Sequence, residues 1–155
     1  MEIVTIDQEI KGRFRNDYHR AIINMTYTLN QVKYQFLQHL KKHGLTEPQY
    51  NVLRVLRGFR SEGAVSIGFL KERMLDKNSD MSRIVDKLLE KELVSRKKHE
   101  ADRRQKDIEI TQKGIDLIAS MSDSESKADT LLDNLAPEEI QQFNYLLDKI
   151  RVNKT

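Results

Sequence analysis

The hydrophobic period of the chain changes near residue 93, and that change limits the folds open to it. Before this point apolar side chains recur every three or four residues, the spacing that gathers them on one face of a helix. After it, Val94-Ser95-Arg96-Lys97-Lys98 reads as a strand, residues 99–104 read as a turn, and Lys106-Asp107-Ile108-Glu109-Ile110 alternates polar with apolar as a half-buried strand does. Helical spacing returns after Thr111. A chain of 155 residues written this way is mainly α with one small antiparallel hairpin.

The helices before the hairpin are legible one by one. Ile10, Phe14, Tyr18, Ile22, Met25, Leu29, Val32, Phe36 and Leu40 form one stripe, which predicts a single long helix over 10–40 stopped by Gly44. A stripe this long exceeds what a small domain needs, so it serves either as a core helix or as one that also packs on a second chain. Thr46-Glu47-Pro48-Gln49 is a helix start, with Thr46 as cap and Gln49 at the capping-box position. Ala64 and Val65 can make a very short strand. Ser66 then caps a helix running to about Leu75. A third short helix is predicted over 79–92, with Met81, Ile84, Val85, Leu88 and Leu89 inward and Asp80, Arg83 and Lys87 on the other side. Two short helices joined by a polar turn and followed by a basic hairpin define a winged helix-turn-helix.

Beyond the hairpin, Thr111 and Gly114 open another helix. The polar stretch 120–126 either breaks it or is an exposed turn of one long helix. Pro137-Glu138-Glu139 starts the last helix, whose stripe is Ile140, Phe143, Leu147 and Ile150. Three regions follow: the long N-terminal helix in 1–44, the winged helix-turn-helix in 45–115, and the C-terminal helices in 116–155.

Charge sharpens the functional reading. The 27 basic and 24 acidic residues leave a net charge of +3, which says little alone. Residues 1–44 carry seven basic and four acidic side chains, 45–115 sixteen and twelve, and 116–155 four and eight. A basic body is joined to an acidic tail, the asymmetry of a chain with a face for polyanions. There are no cysteines, which excludes a disulfide scaffold, a thiolate zinc site, a catalytic thiol and a thiol redox sensor. No apolar run approaches a membrane span, and residues 1–5 lack the basic-then-apolar pattern of an export signal, so a cytoplasmic protein without a membrane partner is expected. No Gly-rich phosphate loop, nucleophile elbow or HExxH motif is present, and nothing points to an enzyme or a cofactor.

At this point the chain resembles the MarR family of bacterial transcription regulators. The resemblance rests on Leu45-Thr46-Glu47-Pro48-Gln49-Tyr50-Asn51-Val52-Leu53, on Ser82-Arg83-Ile84-Val85-Asp86-Lys87-Leu88, on Asp102-Arg103-Arg104, and on Ile110-Thr111-Gln112-Lys113-Gly114. It implies a homodimer that binds a pseudo-palindromic operator in double-stranded DNA, acts as a repressor, and is released by a small aromatic or anionic effector. Residues at the start of a recognition helix reach base edges in the major groove. Here those are Ser79, Asp80, Ser82 and Arg83, with Lys87 behind them. The wing cations Lys97, Lys98, Arg103, Arg104 and Lys106, together with Arg96, are too many for a short hairpin to satisfy internally. The resemblance assigns minor-groove insertion to Arg104, held by Asp102; the plain alternative is a surface salt bridge. Where relatives carry glycine before the first wing strand, this chain is read as having Leu93.

Other candidates are weaker. Arg15, Tyr18, His19 and Tyr27 can line an effector cleft or be ordinary core and surface positions. His39 and His43 stand four apart on one face, but two ligands do not close a metal site, and no metal is expected. A second reading of the whole chain is a winged-helix interaction or architectural module that binds protein, or nucleic acid without specificity.

Overall fold

A computed structural model describes residues 2–98, 101 and 106–152. The elements are α1 (Ile6–Ile10), α2 (Asp17–Lys42), α3 (Glu47–Gly58), a 3-10 turn at Arg60–Glu62, α4 (Ile67–Glu72) and α5 (Met81–Glu90). There follow β1 (Val94–Lys98), β2 (Lys106–Ile110), α6 (Gln112–Ala119), α7 (Ser122–Thr130) and α8 (Pro137–Ile150). The mainly α class with a β-wing is as expected. The strands pair antiparallel with Val94 opposite Ile110 and Lys98 opposite Lys106. The short strand expected at Ala64 and Val65 is a single bridge, in which Val65 and Ile108 exchange both backbone hydrogen bonds at 2.9 and 2.7 Å.

The single N-terminal helix is a correction. The chain breaks between Lys11, in the left-handed region at φ 51°, and Asn16, whose side chain accepts the His19 N–H at 2.9 Å and caps α2. The short α1 folds back along α2. Asp7 pairs with Arg20, and Tyr27 Oη donates to Glu9 at 3.2 Å. In a continuous helix residues 7 and 20 would lie about 20 Å apart. Apolar spacing missed the break because Phe14 keeps the stripe in phase across it.

The core lies between Leu40 and Met121. Leu53, Leu70, Val85, Leu88, Ile108, Ile118 and Met121 are fully buried where α3, α4, α5, the hairpin and α6 meet. α2 adds only Leu40 to it, and α7 and α8 bury no residue. The polar stretch 120–126 does break the helix: α6 ends at Ala119 and α7 begins at Ser122, with Met121 buried between them. The second helix of the lobe and the recognition helix are shorter than expected, ending at Glu72 and beginning at Met81.

Two matching helix ends explain how short elements hold their directions. At the end of α2 the Leu45 N–H donates to Leu40 O and the Gly44 N–H to Lys41 O, with Gly44 at φ 67°. At the end of α5 the Leu93 N–H donates to Leu88 O and the Glu92 N–H to Leu89 O. This is the Schellman arrangement, in which the left-handed residue is usually glycine. In α5 that residue is Glu92, at φ 59°, and not Leu93, which is buried at 3% exposure against the core. The glycine departure read at Leu93 therefore sits one residue earlier. A non-glycine residue there carries strain of about 1–2 kcal/mol, offset in part by glycine's own chain entropy. Glu92→Gly is expected to stabilise the fold by about 0.5–1 kcal/mol, measured by urea unfolding at constant m.

Candidate nucleic-acid interface

The recognition helix is held by a turn whose polar groups are already committed. Ser66 caps α4 by accepting the Phe69 N–H at 3.0 Å. At the other end Arg73 lies over the Phe69 ring, 3.5 Å from its centroid, and donates to the Phe69 carbonyl at 3.0 Å. Phe59 meets Phe69 edge-on at 5.0 Å, so the end of α4 is packed from both sides. In the turn, Asp76 Oδ1 accepts the Asn78 N–H at 2.9 Å, and Ser79 Oγ donates to Asp76 O at 2.8 Å. Asp80 then caps α5, accepting the Arg83 N–H at 3.3 Å.

These contacts divide the residues expected to read DNA. Met81, Val85 and Leu88 face inward and are buried. Ser82, Arg83, Asp86 and Lys87 are exposed on the opposite face. Ser79 and Asp80 precede the helix, and each makes a structural hydrogen bond within the turn or cap. Lys87 pairs with Glu90 at 3.2 Å, whereas Arg83 has no ion-pair partner among the described residues.

The wing is joined to the helix directly. Arg96 Nη2 on β1 contacts Asp86 Oδ1 on α5 at 2.7 Å, and Lys97 pairs with Glu109 across the hairpin at 2.9 Å. Two of the wing cations thus have partners, Arg96 outside the hairpin on α5 and Lys97 within it. Both pairs are largely exposed and add little stability, so their effect is geometric, aligning wing and helix. The Asp86–Arg96 bridge was missed in the sequence, although an acid on the outer face of α5 and a base two residues into the strand were its visible signal. Lys98 is exposed, and Lys106 opens β2 opposite it. Asp102, Arg103 and Arg104 lie outside the described residues, as does His99.

The motif after the wing has a packing reason. Thr111 Oγ1 accepts the Gly114 N–H at 3.1 Å, capping α6, and donates to Glu92 O at 2.7 Å. A Cβ at Gly114 would overlap the Leu93 carbonyl oxygen, so α6 sits against the helix-to-wing turn only because residue 114 has no side chain.

The four residues considered for an effector stand on α2 and the loop before it, and none of them lines the cavity between α2 and α7. Tyr18 is 84% exposed. His19 Nδ1 accepts the Arg15 N–H at 3.2 Å, and Tyr27 is tied to Glu9, whose hydrogen bond raises the phenol's pKa. That cavity has a volume of about 360 Å³, and Phe36, His39, Lys42, Lys127 and Leu131 line it. Burial, then His43, Lys42 and Lys127, hold the His39 imidazole below its ordinary pKa, and its Nε2 is buried without a hydrogen-bond partner among the described residues. The His39 and His43 rings are 4.6 Å apart, and His43 Nδ1 lies 3.0 Å from the His39 carbonyl. Among the described residues no group of three or more His, Asp or Glu is placed to hold a metal, and no helix is long and apolar enough to cross a membrane.

With this geometry established, comparison with known proteins is informative. A MarR family profile matches residues 45–106, from the first residue of the scaffold turn to the second wing strand. The HTH-type transcriptional regulator MhqR of Bacillus subtilis (strain 168) is 31% identical over 117 residues, which cover 75% of this chain and 79% of MhqR. Among solved structures, the S. aureus MepR–DNA complex superposes with a TM-score of 0.73 at 23% identity, covering 89% of this chain and 97% of that one. A mutant E. coli MarR complexed with operator DNA gives 0.72 at 20% identity, covering 90% and 99%. A recognition helix on a buried scaffold, a wing bridged to it, and this match in sequence and fold make the chain a member of the MarR family, a winged-helix DNA-binding transcription regulator and not a member of an enzyme family.

Proposed function

We propose that the protein is a homodimeric repressor that reads a pseudo-palindromic operator, with α5 in the major groove and the wing arginine in the minor groove. The observation that carries this reading is the outer face of α5. Its acids are engaged, Asp80 as the helix cap and Asp86 with Arg96, while Arg83 is exposed and has no ion-pair partner among the described residues. Arginine can grip guanine through two hydrogen bonds, each good pair separating right from wrong base by about 1–3 kcal/mol. We assign Lys87, Lys97 and Lys98 to phosphate oxygens, with Arg103, Arg104 and Lys106 completing the wing's charge.

The dimer is supported by apolar surface that one chain leaves uncovered. Ile22 and Leu29 on α2, Leu131 after α7, and Phe143, Leu146 and Ile150 on α8 are all exposed. Residues 1–44 and 116–155 thus form the dimerisation arm, and 45–115 the DNA-binding lobe. The electropositive cavity beside His39, Lys42 and Lys127 is a better place for a small aromatic or anionic effector than Arg15, Tyr18, His19 and Tyr27.

The test uses a duplex selected by the wild-type protein from random DNA. Arg83→Ala is expected to lower the preference for that duplex over random DNA by about 10- to 100-fold. An equal loss on both would make Arg83 a phosphate contact. Arg104→Ala is expected to weaken binding to the selected duplex more than tenfold, measured by fluorescence anisotropy at moderate salt. Undiminished binding would remove the wing arginine from the reading.

A further inference from the structure

The lobe and the arm of one chain are joined by more than the backbone. α7 has the sequence SDSESKADT and carries no apolar side chain larger than Ala128, so beyond Met121 at its cap its own hydrophobic burial adds little to its place against the lobe. Glu125, near its middle, accepts the Tyr50 hydroxyl of α3 at Oε1, and Arg57 Nη2 of α3 approaches the same oxygen at 3.2 Å. Tyr50 and Arg57 are seven residues apart, two turns on one face of α3. Tyr50 is 6% exposed, and its ring meets Phe36 of α2 edge-on at 5.0 Å. One side chain of the lobe therefore touches two helices of the arm, α2 through its ring and α7 through its hydroxyl. Burial, and then the Glu125 hydrogen bond and charge, raise the pKa of that phenol and keep it protonated as a donor. A second tie lies at the start of α3, where Lys33 of α2 pairs with Glu47 at 2.7 Å.

We propose that Tyr50, Arg57 and Glu125 form a positioning contact that sets the angle of the DNA-binding lobe on the dimerisation arm, and so the half-site spacing the protein accepts. This rests on the dimeric reading above. The path is short: α7 is fastened to α3, and α3 packs on α5, so a change in the tie tilts the recognition helix as a rigid body. Ser124, beside Glu125, lines the cavity between α2 and α7, which places that cavity next to the tie.

The chain has no cysteine, so Asn30→Cys on α2 and Glu72→Cys at the end of α4 give a clean pair of spin-label sites. Labelled chain mixed with excess unlabelled chain reports the distance within one chain, whether or not it dimerises. With the tie intact the distance distribution is narrow. Tyr50→Phe combined with Glu125→Ala is expected to widen it about twofold. The preference for the selected duplex over one lacking a single central base pair is expected to fall about tenfold in the same variant. Arg57→Lys, which keeps a cation, is expected to retain most of both. Glu125→Ala alone, on a helix that buries no residue, covers the case in which Tyr50→Phe loosens the core. An unchanged distribution and an unchanged spacing preference, with or without a lower melting temperature, would overturn the proposal. Sedimentation of the unlabelled protein as a monomer would overturn the dimeric reading, while the within-chain distance still decides the tie.

Discussion

A chain carrying Phe143→Asp and Leu146→Asp is expected to sediment as a monomer and to bind the selected duplex at least 100-fold more weakly. The two side chains stand three apart on α8 and are 42% and 45% exposed in the single chain. They present one apolar surface that the described residues leave partly open. Two aspartates placed where the proposed partner packs would bury charge without compensation, which dissociates the proposed pair. A monomer then engages one half-site only and forfeits the effective concentration that links the second, a loss of about 10²- to 10⁴-fold. The lobe is expected to melt as before, because its core ends at Met121 and α8 contributes no buried residue to it. Sedimentation and anisotropy on the same sample check this. A persistent dimer with unchanged affinity would place the interface elsewhere.

The second large effect is on the fold. Gly114→Ala places a methyl group against the Leu93 carbonyl oxygen and 2.8 Å from Ile110 Cγ1. Neither neighbour can move freely. Leu93 is held by the hydrogen bond from its N–H to Leu88 O, and its carbonyl accepts the Thr111 N–H; Ile110 is paired with Val94 in the sheet. Relief requires α6 to withdraw from the helix-to-wing turn, which also breaks the Thr111 contact with Glu92. The expected loss is about 2–4 kcal/mol, a drop in Tm of roughly 5–15 °C. A variant that melts with the wild type would show that α6 does not need this close approach. Glu92→Gly acts on the same turn in the opposite direction, so the two substitutions bracket its geometry.

Much of the lobe was readable from residue order because its signals are local. Thr46 with Gln49, Ser66 and Thr111 each cap the helix that follows, and the change of period at Val94 marks the strand. The two faces of α5 were legible for the same reason, since one is apolar and buried and the other polar and exposed. What was missed depends on partners distant in sequence or on backbone angles. The break at residues 11–16 leaves the apolar spacing intact and shows itself only through the Asn16 cap and the left-handed Lys11. The glycine-favouring position was read at Leu93, since residue types alone do not tell which of two neighbours has positive φ; hydrogen bonding assigns it to Glu92. Ties such as Asp86 with Arg96 and Tyr50 with Glu125 span ten and 75 residues, and no local pattern announces the second.

Selection of bound duplexes from a random pool by the wild-type protein tests the central claim most directly. A homodimer with one recognition helix per chain predicts enrichment of an inverted repeat, two related half-sites whose centres lie about one helical turn apart. Binding without an enriched sequence, weakening with salt alike on every duplex, would contradict it and favour a non-specific architectural module.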